Sequence, residues 1–186
     1  MGAPTQARVR RPSAETREHI LDVATELFYW KGIHATGVDR VAQAAGIGPT
    51  TLYRLFASKD DLVTAYVERA AAGYRAEILR VTATGDAGER ILALFDATLV
   101  AVRPENCRGC PFLMALAEYP AGPVHDAAVA VKAWVRDRLR ELAADDVLAD
   151  QLTLLLEGVY ASVQALTADG PPTQARAAAE TLIAAR

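Results

Sequence analysis

Apolar residues recur at helical spacing from the first third of the chain to the last. Between Ser13 and Gly32 they fall at Ile20, Leu21, Ala24, Leu27 and Phe28, which lie on one face of a helix. No stretch of the sequence alternates apolar and polar residues with β-branched enrichment over the length of a strand. The pattern therefore predicts an all-α fold of about nine helices.

Glycine, proline and capping residues predict where these helices begin and end. A short second helix is capped by Thr36 and ends at Gly46, Pro49–Phe56 forms the third, and Ser58 caps a fourth helix. The fourth helix runs from 59 to about 83, and the others are predicted near 88–103, 111–119, 123–144, 146–168 and 173–185. Residues 1–13 lack periodicity and predict a flexible arm, so the expected domains are 1–58 and 59–186.

Composition and charge favour phosphate binding by the N-terminal part of the chain. Hydrophobic residues make up 52% of the 186 residues and aromatic residues only 6%, which is typical of a core built from Ala, Leu and Val. The net charge is −3, but residues 1–59 carry eight basic and five acidic side chains, whereas the remainder is acidic. No secretory signal and no bilayer-spanning run is visible, so we expect a cytoplasmic protein with no membrane partner.

The second and third helices are predicted to form a helix-turn-helix. Gly46 lies in the turn, where a left-handed backbone is required, and Ile47 and Leu52 would fill the space between the helices. The third helix then presents hydrogen-bonding side chains to solvent, namely Thr50, Thr51, Tyr53 and Arg54. On these residues alone, DNA binding and an ordinary helical hairpin both remain open.

The residues of this region resemble the signature of the tetracycline-repressor (TetR) family over about 45 positions. The positions that carry the resemblance are Ile20, Leu21, Asp22, Val23, Ala24, Leu27, Phe28, Lys31, Gly32, Thr36, Gly37, Val38, Val41, Ala42, Ala45, Gly46, Ile47, Leu52, Tyr53, Phe56, Lys59 and Leu62. The resemblance implies an N-terminal three-helix DNA-binding domain and a C-terminal domain that binds an effector and dimerises. It also implies a regulator, not an enzyme, that represses from a pseudo-palindromic operator and is released by a small-molecule inducer.

Site residues follow from the resemblance position by position. Thr36, Tyr53 and Lys59 are similar to phosphate contacts of the family, and Arg40, Pro49, Thr50 and Thr51 to positions that face base edges. Leu55 departs from the family, in which His or Tyr is usual, so one DNA contact is expected to be missing.

Several of these residues have an alternative interpretation without a role in DNA binding. Ser58 and Lys59 could only begin a helix, Tyr53 could be a core aromatic, and Arg40 could be merely solvated. The arm residues Arg8, Arg10 and Arg11 could enter a minor groove or form a tail without function.

The C-terminal domain is expected to supply the dimer interface and the effector pocket. In the TetR family the last two helices pair with those of a second copy, and the corresponding apolar residues are Leu152, Leu155, Leu156, Val159, Val163, Leu182 and Ile183. Leu154 is a further apolar position outside the main stripe of helix eight. Candidate ligand-binding residues are Phe95, Leu99, Phe112, Met114, Glu118, His125, Trp134, Tyr160 and Gln164, with ordinary core packing as the alternative for each.

Cys107 and Cys110 offer a second chemistry. The run from Gly109 to Pro120 resembles a segment of one TetR subgroup, with Met114 where Asn is commoner. Cys110 would lie at a helix N-terminus that favours a thiolate, so a redox sensor and simple packing are both open. A helical thiol oxidoreductase is a rival, but Met114 stands where its His would be; an adaptor that binds no DNA is another. We expect no metal and no cofactor, and the sequence leaves the effector and the choice between activator and repressor open.

Overall fold

The computed structural model describes residues 13–103, 107–167 and 169–186, without the side chain of Gln164. These residues form only helices and connecting segments, which confirms the all-α prediction. The helices are α1 (Ser13–Lys31), α2 (Val38–Ala44), α3 (Pro49–Leu55), α4 (Lys59–Val81), α5 (Ala87–Ala101), α6 (Pro111–Glu118), α7 (Pro123–Ala143), α8 (Asp146–Leu166) and α9 (Ala175–Ala184). The predicted arm, with Arg8, Arg10 and Arg11, lies outside the described residues.

The chain divides into two compact units, Met1–Leu62 and Val63–Arg186. Helix α4 begins in the first unit and continues through the second. The sequence pattern placed the boundary at the start of this helix, whereas the contacts place it within the first turns. None of the helices in the described part of the chain combines the length and the hydropathy needed to cross a bilayer.

The first unit is held together by the apolar face of α1. Ile20, Leu21, Ala24 and Phe28 are buried, and α1 packs against both α2 and α3. Val41, Leu52 and Phe56 are buried from the other side. Because an isolated helix of seven residues is unstable in water, this burial, at about 1.5–3 kcal/mol for each large side chain, is what keeps α2 and α3 folded.

The segment before α2 differs from the prediction. The N-cap residue is Gly37, so the prediction that Thr36 caps α2 is wrong. Thr36 is completely buried, and its hydroxyl donates to the Gly32 carbonyl at 2.8 Å. The side chain therefore closes the end of α1 and cannot reach a phosphate from this position.

The second unit has its core among α5, α7, α8 and α9. Its most completely buried large side chains include Phe95, Leu139 and Leu152. Two carboxylates define where helices begin: Asp86 forms a capping box with Glu89 at α5, and Asp145 accepts from the Leu148 N–H at the start of α8.

The interior of this unit corrects the predicted dimer interface. Leu152, Leu156, Val159 and Val163 are buried inside the chain itself, so they cannot face a second copy. Leu155, Leu182 and Ile183 are partly buried against the same core. The periodicity of α8 predicts that its most apolar stripe is buried, but α5, α7 and α9 cover this stripe instead of a second copy.

The other boundaries, including those of the last helix, agree with the prediction to within a few residues. A 3-10 turn over Pro171–Gln174 precedes α9, which begins at Ala175. This turn therefore takes up the first two residues of the predicted helix.

Thr36 should act through stability. We expect Thr36→Val to lower the free energy of unfolding by about 1–3 kcal/mol, because it removes the hydroxyl that donates to the buried Gly32 carbonyl while keeping the side-chain shape. Thr25→Val is the matched control, since the Thr25 hydroxyl also donates to a carbonyl four residues earlier but is only half-buried. Urea unfolding followed by circular dichroism would contradict this role if the two variants lost equal stability.

Candidate functional site

The turn between α2 and α3 sets the angle at which α3 is presented. Gly46 adopts a φ of 64°, its N–H donates to the Gln43 carbonyl at 3.1 Å, and the Ile47 N–H donates to the Ala42 carbonyl at 3.0 Å. These two bonds form a Schellman motif, which ends a helix at a residue in the left-handed region. The predicted need for glycine in this turn is confirmed.

Helix α1 braces this pair with two polar contacts that the sequence analysis missed. His19 Nε2 makes a 3.1 Å hydrogen bond with the Ala45 carbonyl in the turn, across 26 residues of sequence. The Arg17 guanidinium lies 4.9 Å from the ring centre of Phe56, directly after α3. Both contacts depend on the tertiary packing of α1, and local sequence spacing carries no signal for them.

The outer face of α3 is polar and accessible. Tyr53 is 47% exposed, whereas Leu52 and Phe56 beside it are buried. The alternative that Tyr53 is a core aromatic is therefore wrong. Among the other predicted contacts, Pro49, Thr50 and Arg54 are exposed, Thr51 is half-buried, and Arg40 is exposed on α2. Leu55 is half-buried and offers no hydrogen-bonding group to a neighbour.

The start of α4 adds a cation to the same unit. Ser58 Oγ accepts the Asp61 N–H at 3.0 Å, which confirms that Ser58 caps the helix. Lys59 Nζ donates to the His34 carbonyl at 3.4 Å, and this weak, exposed bond holds the ammonium group at the surface beside the segment that precedes α2. Tyr53, Arg40 and Lys59 thus all belong to the described surface of the first unit.

In the second unit, the predicted ligand residues separate into two groups. Phe95 is completely buried, and Leu99, Trp134 and Tyr160 pack against the core around it. Met114, Glu118 and His125 are half-buried on α6 and at the start of α7. The side chain of Gln164 lies outside the described residues.

A polar cluster lies among the aromatic residues of this unit. Lys132 on α7 and Glu157 on α8 form a bidentate ion pair at 2.7 Å, with side chains only 16% and 25% exposed. The Lys132 ammonium lies 5.7 Å from the ring centres of both Phe112 and Tyr160. An ion pair packed under aromatic rings is strengthened by the low local dielectric.

Helix α4 contributes a tyrosine to the same cluster. The Tyr74 ring lies 5.8 Å from the Phe112 ring, and the Tyr74 and Tyr160 side chains share a hydrogen bond. Burial first, and then the neighbouring phenol, raises the pKa of Tyr74 well above its ordinary value, and burial also raises the pKa of Tyr160. Both phenols therefore remain protonated at neutral pH. We call Tyr74, Phe112, Lys132, Glu157 and Tyr160 the polar cluster.

The sequence analysis missed Tyr74, Lys132 and Glu157. The available signal was a charge within an otherwise apolar stretch of α7 and of α8, but the two charges are 25 residues apart in sequence. Only the packing of α7 on α8 pairs them.

Arginine side chains tie the far end of α4 to its neighbours. Arg75 lies 5.6 Å from the Trp134 ring and donates to the Ala130 carbonyl at 3.4 Å. Thr82, buried directly after α4, accepts from Arg138 through its hydroxyl at 3.1 Å and from Arg90 through its carbonyl at 2.7 Å. A displacement of α7 would therefore disturb contacts that hold α4.

The two cysteines lie at the start of α6. Cys110 is buried at the N-cap position, Cys107 is half-buried, and both are free thiols in the described part of the chain. Within the same described residues, no group of three or more His, Cys, Asp and Glu side chains is arranged to hold a metal ion.

Known proteins match both units. Residues 20–66 match the model described as bacterial regulatory proteins of the tetR family. The crystal structure of SCO4454, a TetR-family transcriptional regulator from Streptomyces coelicolor, superimposes with a TM-score of 0.88 at 32% identity, covering 92% of this chain and 96% of that one.

Curated relatives match over part of the chain. Identity is 37% over 87 residues with the HTH-type transcriptional regulator Rv1255c of Mycobacterium tuberculosis, covering 46% of this chain and 43% of the relative. It is 40% over 60 residues with the HTH-type transcriptional activator FasR of Mycolicibacterium smegmatis, covering 32% and 27%. The chain therefore spans less than half the length of these curated relatives.

The likeness to SCO4454 extends over both units, and its identity and coverage go beyond a shared fold. Proteins of this kind are transcriptional regulators and not enzymes, so the thiol oxidoreductase alternative is excluded. The helix-turn-helix of the first unit and the helical second unit together identify the chain as a member of the TetR family of DNA-binding transcriptional regulators.

Proposed function

We propose that this protein is a repressor that binds a pseudo-palindromic operator as a homodimer and releases it when a small molecule binds the second unit. The observation that carries the proposal is the exposed polar face of α3, fixed by the Schellman turn and by α1. The same proposal, with double-stranded DNA as the partner, has the protein act in the cytoplasm.

The surface of the first unit suits DNA in both charge and geometry. Tyr53 and Lys59 supply a hydroxyl and an ammonium for phosphate oxygens, while Thr50, Thr51 and Arg40 can meet base edges in the major groove. Pro49 and Arg54 complete the exposed face of α3. Thr36 acts indirectly, because its buried hydroxyl fixes the segment that leads into α2.

The homodimer is supported by the face of α8 that the core leaves uncovered. This face carries Val147, Gln151, Leu154, Gly158, Ala161 and Ala165, and Leu154 alone is 74% exposed. A Cβ added at Gly158 would meet nothing within 4 Å, so this side of the helix is open to a partner. Small residues allow two helices to approach closely, and Ala177, Thr181 and Ala184 give α9 a similar face.

The effector response is supported by the polar cluster and by its connection to α4. A ligand that enters beside Phe112, Trp134 or Tyr160 has to displace or rearrange groups that contact Tyr74 and Arg75 on α4. If it prefers the state that cannot bind DNA, a coupling free energy of about 1–3 kcal/mol suffices for a 5- to 150-fold loss of affinity.

The DNA contacts predict two classes of variant. We expect Tyr53→Phe and Lys59→Ala each to weaken binding to all DNA sequences alike, by about tenfold, because each removes a contact to phosphate. Thr51→Ala should instead change the preference among sequences. Fluorescence anisotropy with the region upstream of the protein's own gene and with a shuffled fragment, at two salt concentrations, measures both effects.

Arg80→Ala is the control for net charge, because Arg80 is an exposed cation of the second unit. Wild-type affinity in both Tyr53→Phe and Lys59→Ala would show that the contact assignment is wrong. If the wild-type protein binds neither fragment, or binds them with an affinity that hardly changes with salt, the proposal of a DNA-binding regulator is wrong.

The uncovered face of α8 predicts a change of oligomeric state. Leu154→Arg should convert the dimer into a monomer of 19.9 kDa, because it places a charge in the centre of an apolar interface. Val100→Arg, at an exposed position of α5, is the matched control and should leave the dimer intact. Light scattering coupled to size exclusion measures the mass, and a Leu154→Arg protein that remains dimeric would place the interface elsewhere.

A further inference from the structure

Cys107 and Cys110 lie three residues apart on either side of a bend. Arg108 and Gly109 form the bend, and Gly109 has a φ of 129°, a conformation that other residues rarely adopt. The Cys107 N–H donates to the Arg103 carbonyl at 2.9 Å, and the Met114 N–H donates to the Cys110 carbonyl at 3.1 Å. A bend shortens the separation between residues three apart, and a disulfide requires Cα atoms less than about 7 Å apart.

The two thiols also act electrostatically on the polar cluster. Burial is the main cause that raises the pKa of Tyr160, and Cys110 and Cys107 raise it further. Cys110 also raises the pKa of Tyr74, after burial and Tyr160. The electrostatic influence of both thiols therefore reaches Tyr160, and that of Cys110 also reaches Tyr74 on α4.

The thiols differ in how solvent can reach them. Cys107 is half-buried and open to a small oxidant, whereas Cys110 is 4% exposed. Two residues after Cys110, Phe112 packs its ring against Tyr74. The dithiol is thus joined to α4 by one short path through the first turn of α6.

We propose that Cys107 and Cys110 form a reversible intrachain disulfide in response to a peroxide, and that closing it displaces Phe112 from Tyr74 and weakens DNA binding. The site is a modification site in addition to any small-molecule pocket. Its effect on DNA rests on the proposed function, whereas the disulfide itself does not.

The chemistry needs only the two thiols and hydrogen peroxide. The Cys107 thiol releases its proton, and the thiolate attacks one peroxide oxygen. The O–O bond breaks, a sulfenic acid forms, and the departing hydroxide combines with the released proton as water. The Cys110 sulfur then attacks the Cys107 sulfur, the S–O bond breaks, and the hydroxide leaves with the Cys110 proton as a second water. Two electrons pass from the sulfur atoms to the peroxide, and a dithiol reductant reverses the change.

The coupling follows from the position of the bond. In the reduced protein, Cys110 is packed in the interior as a buried thiol. A disulfide would instead hold its side chain against that of Cys107. The N-cap of α6 has to follow its sulfur, and Pro111 transmits the movement stiffly to Phe112 because its φ is fixed. The Tyr74 ring then loses the neighbour that it packs against.

The test uses the full chain, reduced and then treated with a stoichiometric amount of hydrogen peroxide. We expect the intact mass to fall by two hydrogen atoms, with no crosslinked dimer on a non-reducing gel. Affinity for the upstream DNA fragment should fall by about 5- to 150-fold and return after dithiothreitol. Cys107→Ser should show neither the loss of mass nor the loss of affinity, and its half-buried position makes it a safe substitution.

Phe112→Leu separates the bond from its consequence. This variant should form the disulfide as wild type does, but with a smaller loss of DNA affinity, because the contact with Tyr74 is weakened beforehand. Hydrogen exchange of α4 gives a readout that needs no DNA, and we expect faster exchange in the oxidised wild type than in the reduced protein.

Each other outcome overturns part of the proposal. An unchanged mass, a disulfide between two chains or oxidation beyond the sulfenic acid would exclude the intrachain bond. A disulfide that leaves both DNA affinity and exchange of α4 unchanged would exclude the coupling. Reduced protein that binds no DNA would refute the proposed function, while the mass and the exchange data would still decide the disulfide.

Discussion

The recognition surface depends on the burial of one face of α1 beneath two helices that are too short to exist without it. Seven residues make about two turns, and such a segment leaves most of its terminal backbone groups outside the helical ladder. The direction in which Tyr53 projects is therefore decided by Ile20, Leu21 and Phe28 underneath, and by the Schellman turn. The site is a product of tertiary packing presented on a short element, and its precision comes from the core.

The second unit also depends on tertiary packing, but here the packed groups are polar. A half-buried lysine and glutamate lose hydration, and only close mutual contact together with ring faces offsets that loss. The Tyr74 and Tyr160 phenols interact with each other in the same region. Few other arrangements of these side chains would keep the same contacts. A ligand that enters nearby, or a bond that forms nearby, therefore either leaves the contacts intact or breaks them. Contacts that are kept or broken together are what a two-state switch uses.

Sequence patterns predicted most helix ends because Gly46, Pro49, Ser58 and Pro111 have local backbone or capping roles. They misjudged Thr36, since a threonine before a helix resembles a cap whether its hydroxyl faces forward or, as here, back to Gly32. They also assigned the richest stripe of α8 to a partner, because periodicity shows that a face is buried without showing what buries it. The Lys132–Glu157 pair, His19 and the neighbourhood of Tyr74 arise from contacts between distant segments, which no local pattern encodes.

Helix α4 is anchored at both ends: Lys59 bonds to the backbone before α2, and Thr82 is fixed between Arg90 and Arg138. Inserting or deleting a single residue between these anchors would rotate one end against the other by about 100° and shift it by about 1.5 Å. Each anchor would still form, because its partners lie in its own unit. The number of residues between the anchors therefore sets a rotation along the helix, whereas the kind of residue at its exposed positions does not.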